Sequence, residues 1–482
     1  MTTKNMFSMI GQRNSWWSAM AASAALALAG LLTACGSGSS ATTNPNPTPT
    51  AKTAVQVNMG DAPADWMLAF SMNISSMSLT GSNGTVSAVS ATTPMEMLHL
   101  MGTMQPLAMI SAPQGSYTGA SITIGSATVM YMDPTTKAPM QKTISGPITA
   151  TVNFSSPITV GSTPMAMGFD LDLASSVTAD ASGNLSMNPV FHVTTGMQGS
   201  GSPLDPTDGG IQQMMGTVSG VSGSSFTMAS MQAAQTFTFA TNSSTTFENI
   251  SSMSMMTNGM LVAVDASLQS DGSLMATKVQ SMMNSGGVMG GGIITAVTGQ
   301  PPTSLTMVMQ NGAGTGMMSS DFAAGATIDL SGSTTYEIDE DNVDMSGLPF
   351  TPVFDASHIY VGQSVMPISS TGMMSGGSGM MGGSSMGGTI TASEIALEPQ
   401  GLTGTAATAI TSGSTTSFTL TLPSDSAFTT LTGATSVTVI QQSQTTVAGT
   451  SPIASGSSMH AFGLLFFDAG QWKMVAARMG AN

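Results

Sequence analysis

The chain contains little charge, one cysteine and few large aromatic residues. Only 7% of its 482 residues are charged, against roughly 25% in an ordinary soluble domain. A single cysteine excludes an internal disulfide framework and a thiolate metal cluster. Eight basic residues against 24 acidic ones exclude the clustered basic surface that a nucleic-acid partner needs. No later apolar run approaches the ~20 residues of a spanning helix.

What is present is glycine, serine, threonine and methionine around short runs of alternating apolar residues. Such runs occur at residues 55–59, 122–124 and 169–173, with Gly, Pro, Asn and Ser between them. A period of two predicts β-strands, and no helix of useful length is visible. We therefore predict an all-β fold. An N-terminal β-sandwich is followed by two to three small β-barrel-like modules, with flexible Gly/Ser/Met loops.

The N-terminal region has the layout of an export signal. Lys4 and Arg13 precede an uncharged Ala/Leu-rich stretch at residues 19–32, too short and wrongly flanked for a spanning helix. Residues 32–35, Leu-Thr-Ala-Cys, resemble the lipobox of bacterial lipoproteins. That resemblance implies cleavage before Cys35, its acylation, and, with Gly36 after it, the outer membrane in a two-membrane cell. The alternative is a secreted protein with one spare thiol.

Composition and repeats divide the chain into six segments. The first two are the signal, residues 1–34, and the acylated cysteine with a Pro/Ser-rich tether, residues 35–53. The sandwich follows at residues 54–197. The rest forms module 1 at 209–285, module 2 at 290–399 with a Met/Gly-rich insertion, and a divergent module 3 at 401–482.

Two further resemblances support this division. Val-Asn-Met-Gly-Asp-Ala-Pro at 57–63 and the closing segment 188–193 resemble domain-of-unknown-function family 4382, exported β-sandwich domains often found behind a lipobox. Ser-Thr-Thr-Phe-Glu at 244–248 recurs as Ser-Thr-Thr-Tyr-Glu at 333–337. These repeats, with Asp-Gly-Ser-Leu-Met-Ala at 271–276, are similar to family 5666, small β-barrel modules. Neither resemblance implies an activity. Tandem copies predict a rod or an array that presents surfaces.

Methionine is the compositional oddity, with 46 residues. Most are expected to pack in cores, but some lie in Gly/Ser tracts that bury nothing. Thioethers are soft ligands that select Cu(I), and they do not protonate at acid pH. Oxidant scavenging and a drifted low-complexity loop are the alternatives. The candidate copper ligands are Met373, Met374, Met380, Met381 and Met386.

Catalytic constellations are missing from the sequence. The four histidines lie about a hundred residues apart, without metal-ligand spacing, and His192 is expected to be structural. The acid-rich stretch 339–344 lacks the pattern of a calcium loop and predicts a solvated turn. Asp61, two residues before a proline, predicts a turn. A pair of hydrolytic carboxylates needs no local motif, so a hydrolase stays open as a third hypothesis.

These observations favour a non-enzymatic, lipid-anchored β-modular protein of the cell envelope. It would be structural, adhesive or ligand-presenting. Its partners would be the membrane, through Cys35, and an unknown protein or surface ligand. The alternative is a Met-rich protein that binds Cu(I) or scavenges oxidants.

Overall fold

Period-two alternation produces strands throughout the part of the chain that the computed structural model describes. That part is residues 50–481 except 63, 101–102, 134, 181–182, 198–207, 234, 283–289, 311–324, 341–342, 370–388, 408–409, 413–414 and 449–453. It contains 31 strands and two short helices, α1 (Leu173–Ser176) and α2 (Ala427–Thr432). The predicted all-β, multi-module fold is therefore confirmed. Within these residues, no helix has the length and apolar character needed to cross a membrane.

The sandwich consists of two sheets that enclose one core. One sheet has the order β11-β8-β1-β5, and the other has the order β3-β2-β6-β7 with β4 beside β2. A short hairpin, β9–β10, stands apart. The strands of this N-terminal unit are β1 (Lys52–Ala62), β2 (Met67–Gly81), β3 (Gly84–Val89), β4 (Thr93–Glu96), β5 (Met104–Pro113), β6 (Gly115–Met132), β7 (Pro139–Val160), β8 (Met165–Asp172), β9 (Val177–Ala179), β10 (Leu185–Met187) and β11 (Phe191–Met197).

Strand β1 carries an acid into this core. Val55, Val57 and Met59 alternate into the apolar interior, and the same alternation places Asp61 on the buried face. Asp61 is 3% exposed, and neither carboxylate oxygen has a hydrogen-bond partner. The sequence predicts a turn here, but Asp61 belongs to the strand, opposite Leu171 of β8. Burial raises its pKa well above the usual value, and nearby carboxylates raise it further.

Module 1 is a six-stranded sheet with the order β14-β13-β12-β16-β17-β15. An additional pairing between β14 and β17 closes it into a small barrel around its own apolar core. The strands are β12 (Gly210–Ser222), β13 (Ser225–Ser230), β14 (Thr236–Ala240), β15 (Thr246–Glu248), β16 (Leu261–Leu268) and β17 (Leu274–Ser281).

Modules 2 and 3 are both seven-stranded variations on this plan. Module 2 has the order β21-β24-β22-β18-β19-β20-β23. Module 3 has the order β25-β30-β31-β28-β27-β26, with β29 beside β31 and a closing pairing of β25 with β27. Their strands are β18 (Gly292–Gly299), β19 (Pro302–Met309), β20 (Gly325–Asp329), β21 (Thr335–Ile338), β22 (Ser364–Ile368), β23 (Thr389–Thr391), β24 (Glu394–Leu397), β25 (Gln400–Ala406), β26 (Ile410–Ser412), β27 (Thr415–Thr421), β28 (Ser436–Gln441), β29 (Thr446–Ala448), β30 (Ser458–Asp468) and β31 (Gln471–Ala481).

One threonine contact recurs in all three modules. The hydroxyl of Thr245 donates to the carbonyl of Ala276 (2.8 Å), and Thr334 and Thr445 make the same bond to Ala392 (2.9 Å) and Ala476 (2.7 Å). In each module the strand after this threonine runs parallel to a second strand: β15 with β17, β21 with β24, and β29 with β31. The alanine lies on that second strand in modules 1 and 3 and two residues before it in module 2. The repeat in the sequence is therefore a repeat of side-chain contacts.

The sandwich contacts each of the three modules. Gln235 of module 1 accepts a hydrogen bond from the Met109 amide (3.0 Å), and Gln310 of module 2 donates to the Leu68 carbonyl (2.7 Å). The amide at the start of α2 in module 3 donates to the Asp65 carbonyl (2.6 Å). Residues 50–482 thus form one compact unit, whereas the tandem copies alone predict a rod or an array.

Strands β30 and β31 serve two cores at once. Leu465 and Met474 face the interior of module 3, while Leu464, Phe466 and Val475 pack into the core of module 2. This explains the long apolar run at residues 461–467, since a strand buried on both faces has no polar alternation. Modules 2 and 3 therefore share a wall, because the same two strands line both hydrophobic cores.

We predict that the protein is more stable at acid pH than at neutral pH. Burial raises the pKa of Asp170, on β8, from 3.8 to about 6. A carboxyl that binds its proton more tightly when folded stabilises the fold below the unfolded pKa, and this contribution is lost as pH rises through the folded pKa. Thermal unfolding from pH ~4 to ~7 should show falling stability, and Asp170→Asn should reduce the fall by on the order of 2 kcal/mol.

The matched control is Asp271→Asn. Asp271 is exposed, and hydrogen bonds from Ser273 lower its pKa, so this variant should keep the slope of the wild type between pH ~4 and ~7. Equal slopes for wild type and Asp170→Asn would contradict the prediction.

Candidate functional site

A cavity of about 1560 Å³ lies where the four units meet. Each of the three modules contributes the parallel strand pair that follows its threonine contact, and the sandwich contributes residues around Asp65 and His99. The cavity wall is thus built from equivalent edges of a repeated module. This is a feature of the packed protein that no single module possesses.

Equivalent positions on these edges carry different charges. Thr246, Thr335 and Thr446 begin the three equivalent strands, and their parallel partners are Lys278, Glu394 and Arg478. The repeated scaffold therefore holds a lysine, a glutamate and an arginine in corresponding places, and the glutamate and the arginine line the cavity. Divergence of the copies has changed the charge of the edge while keeping its backbone pairing.

In module 1 the charged residue of the edge has a partner of opposite charge, whereas in module 2 its partner is a second acid. Lys278 forms an ion pair with Glu248 (3.2 Å). At the corresponding place in module 2, Glu394 shares a side-chain hydrogen bond with Glu337. Partial burial, and then this bond, raise the pKa of Glu394. The wall of module 2 therefore carries a pair of adjacent carboxyl groups, Glu337 and Glu394.

Arg478 of module 3 reaches across the cavity to module 1. Its Nη1 donates to Oε1 of Gln212 (2.6 Å), and its guanidinium lies 4.9 Å from the centre of the Phe462 ring. Burial lowers its pKa to about 10, so it stays charged at neutral pH. Among the ion pairs of the described residues, none includes Arg478. An amide and an aromatic face take the place of a carboxylate.

The remaining lining is acidic and rich in amides. Eight carboxylate residues face one arginine, so the cavity has a negative potential at neutral pH. The acidic residues are Asp65, Glu248, Glu337, Asp339, Glu340, Asp344, Glu394 and Glu398. The amides are Gln105, Gln212, Gln213, Gln232, Asn249, Gln280, Gln310, Gln400 and Gln444. Amide groups both donate and accept hydrogen bonds, which suits a polar ligand.

A hydrogen-bonded chain joins the sandwich to module 1 at one side of the cavity. Glu96 is fully buried, and its carboxylate accepts from the Nδ1 of His99 (2.8 Å) and from three backbone amides. The other imidazole nitrogen of His99 lies 3.0 Å from Nε2 of Gln232. Glu96 therefore fixes the orientation of an imidazole that lines the cavity.

The residues singled out in the sequence lie mostly elsewhere. Cys35 and the methionines Met373, Met374, Met380, Met381 and Met386 lie outside the described residues. His192 is on β11, 3.8 Å from Asp172, and outside the cavity lining. Asp344 of the acid-rich stretch lines the cavity, and its carboxylate accepts from the Ser346 amide (2.7 Å). Within the described part, no group of three His, Cys, Asp or Glu side chains has metal-site geometry.

Sequence reasoning missed Glu337, Glu394 and Arg478. A signal existed in the repeat itself, because each lies at a fixed distance from the recurring threonine or alanine. Their meeting around one cavity depends on how the modules pack, which the repeat does not encode.

Comparison with known proteins supports part of the family resemblance. A family model described as Domain of unknown function (DUF5666) matches residues 215–280, which run from β12 to β17 of module 1. No curated protein matches the chain. The resemblances of the sandwich to family 4382 and of residues 32–35 to a lipobox remain predictions. Module 1 is thus similar to a domain family of unknown function.

Proposed function

We propose that this protein is a lipid-anchored, non-enzymatic ligand-binding protein of the cell envelope. Cys35 would attach it to the membrane, at the outer membrane in a two-membrane cell, and residues 36–53 would hold the β units away from the lipid. The observation that carries the proposal is the cavity at which all four units converge. A closed cluster around a cavity favours ligand binding over an extended adhesive rod.

The size and charge of the cavity indicate the class of ligand. Its volume of about 1560 Å³ exceeds the ~300–1,000 Å³ of small-molecule pockets. Amides along the wall suit the backbone of a peptide, and the excess of carboxylates suits basic side chains. We therefore propose a lysine- or arginine-rich peptide segment as the ligand.

Hexalysine tests this choice of ligand. We expect it to bind the wild type, with affinity that falls as salt is added. The double variant Glu337→Gln/Glu394→Gln should bind about tenfold more weakly, because exposed charge pairs contribute up to ~1 kcal/mol each. Fluorescence anisotropy of labelled hexalysine would measure both effects.

A control variant with the same loss of charge separates the cavity from the rest of the acidic surface. Asp133→Asn/Asp271→Asn removes two exposed carboxylates outside the cavity lining and should bind hexalysine like the wild type. Equal weakening in both variants would mean non-specific attraction to an acidic protein and would contradict the proposal.

The membrane anchor has its own test. In bacteria that produce the protein, labelled palmitate should be incorporated, globomycin should block processing, and the protein should fractionate with membranes. Cys35→Ser should abolish the label and release the protein, because no other cysteine is present. Ser37→Ala, next to the lipobox, is the control and should keep both. A label that persists in Cys35→Ser would rule out the anchor.

An acid hydrolase is the second candidate, and the Glu337–Glu394 pair is the observation that favours it. Glycosidase carboxylates stand ~5–10 Å apart, whereas two carboxyls joined by a hydrogen bond, as Glu337 and Glu394 are, resemble an aspartic-peptidase dyad. The third hypothesis from sequence, a hydrolase with an unrecognised acid pair, thereby acquires named residues.

A labelled denatured protein, incubated at acid pH, tests this second candidate. If the pair is catalytic, the wild type should release peptides, Glu394→Gln should stop the release, and Asp271→Asn should leave it unchanged. If the wild type releases no peptides, or releases them equally after Glu394→Gln, the hydrolase hypothesis is wrong and the pair is part of the wall of the binding cavity.

A further inference from the structure

Four methionines meet at the seam between modules 1 and 2. Met215, Met231 and Met282 of module 1 pack with Met366 of module 2, around Leu261 and Ala396. The same four side chains line the central cavity. They are therefore both clustered and accessible from the cavity, unlike the methionines that fill the cores of the modules.

Backbone contacts fix the three methionines of module 1 at one end of its sheet. The Met231 amide donates to the Met215 carbonyl (3.1 Å), and the Met282 amide donates to the Leu261 carbonyl (3.0 Å). Leu261 in turn is the register partner of Thr217, two residues after Met215 on β12. The middle of β12 and the ends of β13 and β17 thus bring three methionines together.

These methionines are not needed for the interior of their own barrels. On β12, Met214 points into the core of module 1, so the next residue, Met215, points out of it. On β22, Val365 points into the core of module 2, so Met366 points out of it. The outer faces of modules 1 and 2 meet here, and each presents sulfur where Leu, Ile or Val would bury equal apolar surface.

The chemistry of this cluster suits a soft, singly charged cation. Thioether sulfur is a neutral, polarisable ligand that selects Cu(I) over hard divalent ions. Met366 pairs with Ala396 of β24, and Glu394 lies on the same face two residues earlier. Carboxylates beside the sulfurs attract a cation into the cavity without competing as ligands for a soft metal.

We propose that Met215, Met231, Met282 and Met366 form a thioether site for Cu(I) at the wall of the central cavity. The site differs from the candidate ligands in residues 373–386, because it joins two modules and uses strand residues. Copper enters already reduced, and no electron transfer takes place at the site. This inference does not depend on the basic peptide proposed as the ligand of the cavity.

The test is a titration of the full-length protein in detergent with Cu(I) held by a competing chelator under reducing conditions. The seam variant changes Met215, Met231, Met282 and Met366 to leucine, a substitution that conserves volume. The core variant changes Met214, Met228, Met307 and Met309, which are buried in the modules, to leucine. We expect the seam variant to lose saturable Cu(I) binding and the core variant to keep it.

A third variant separates the two methionine sets. Changing Met373, Met374, Met380, Met381 and Met386 to serine should leave the seam site occupied. Loss of all binding in this variant, or wild-type binding by the seam variant, would overturn the proposal.

Silver provides a readout that does not depend on how the seam variant folds. Ag(I) is a redox-inert ion that binds thioethers as Cu(I) does. When Ag(I) is added to the wild type, ¹³C-methyl methionine spectra should show shifts at the seam methionines, assigned by single Met→Leu variants. Shifts confined to other methionines, or none, would equally reject the site.

Discussion

The structure depends on glutamine amides buried between its units. The chain has few charges, and within its described part the ion pairs lie inside single units. Glutamine side chains make several of the polar contacts across the seams instead. Gln400 accepts from the Ser364 amide (2.5 Å) and donates to the Gly362 carbonyl (2.9 Å). Gln363 donates to the Leu465 carbonyl (3.0 Å). Each bond contributes about 1 kcal/mol net, but an unmatched backbone group at the same place costs more.

This mode of joining suits a fold that persists in acid. An amide does not titrate, so the seams keep their hydrogen bonds when carboxylates become protonated. The carboxyls of Asp61 and Asp65 are buried in or beside the sandwich, and burial raises the pKa of both. Protonation relieves the cost of burying them. The structure thus combines seam contacts that do not change with pH and buried carboxyl groups that stabilise the fold at low pH.

The sequence predicts the strands because their alternation is local, and it predicts the resemblance of module 1 because a short motif carries it. Asp61 shows where local rules end: Asp before Ala-Pro favours a turn, yet the register with β8 continues the strand and buries the acid. The cavity was beyond prediction for another reason. Glu394 and Arg478 lie on strands that any module would contain, and only the packing of all four units brings them to a common space.

The two-faced strands β30 and β31 have a consequence for how the chain acquires its structure. Module 2 contains most of its own strands, but Phe466 and Val475, contributed from far downstream, complete its interior. Its apolar face therefore stays open to water during synthesis until the final hairpin arrives. Modules 2 and 3 should form in a single cooperative step, so the unit that folds is larger than the unit that repeats.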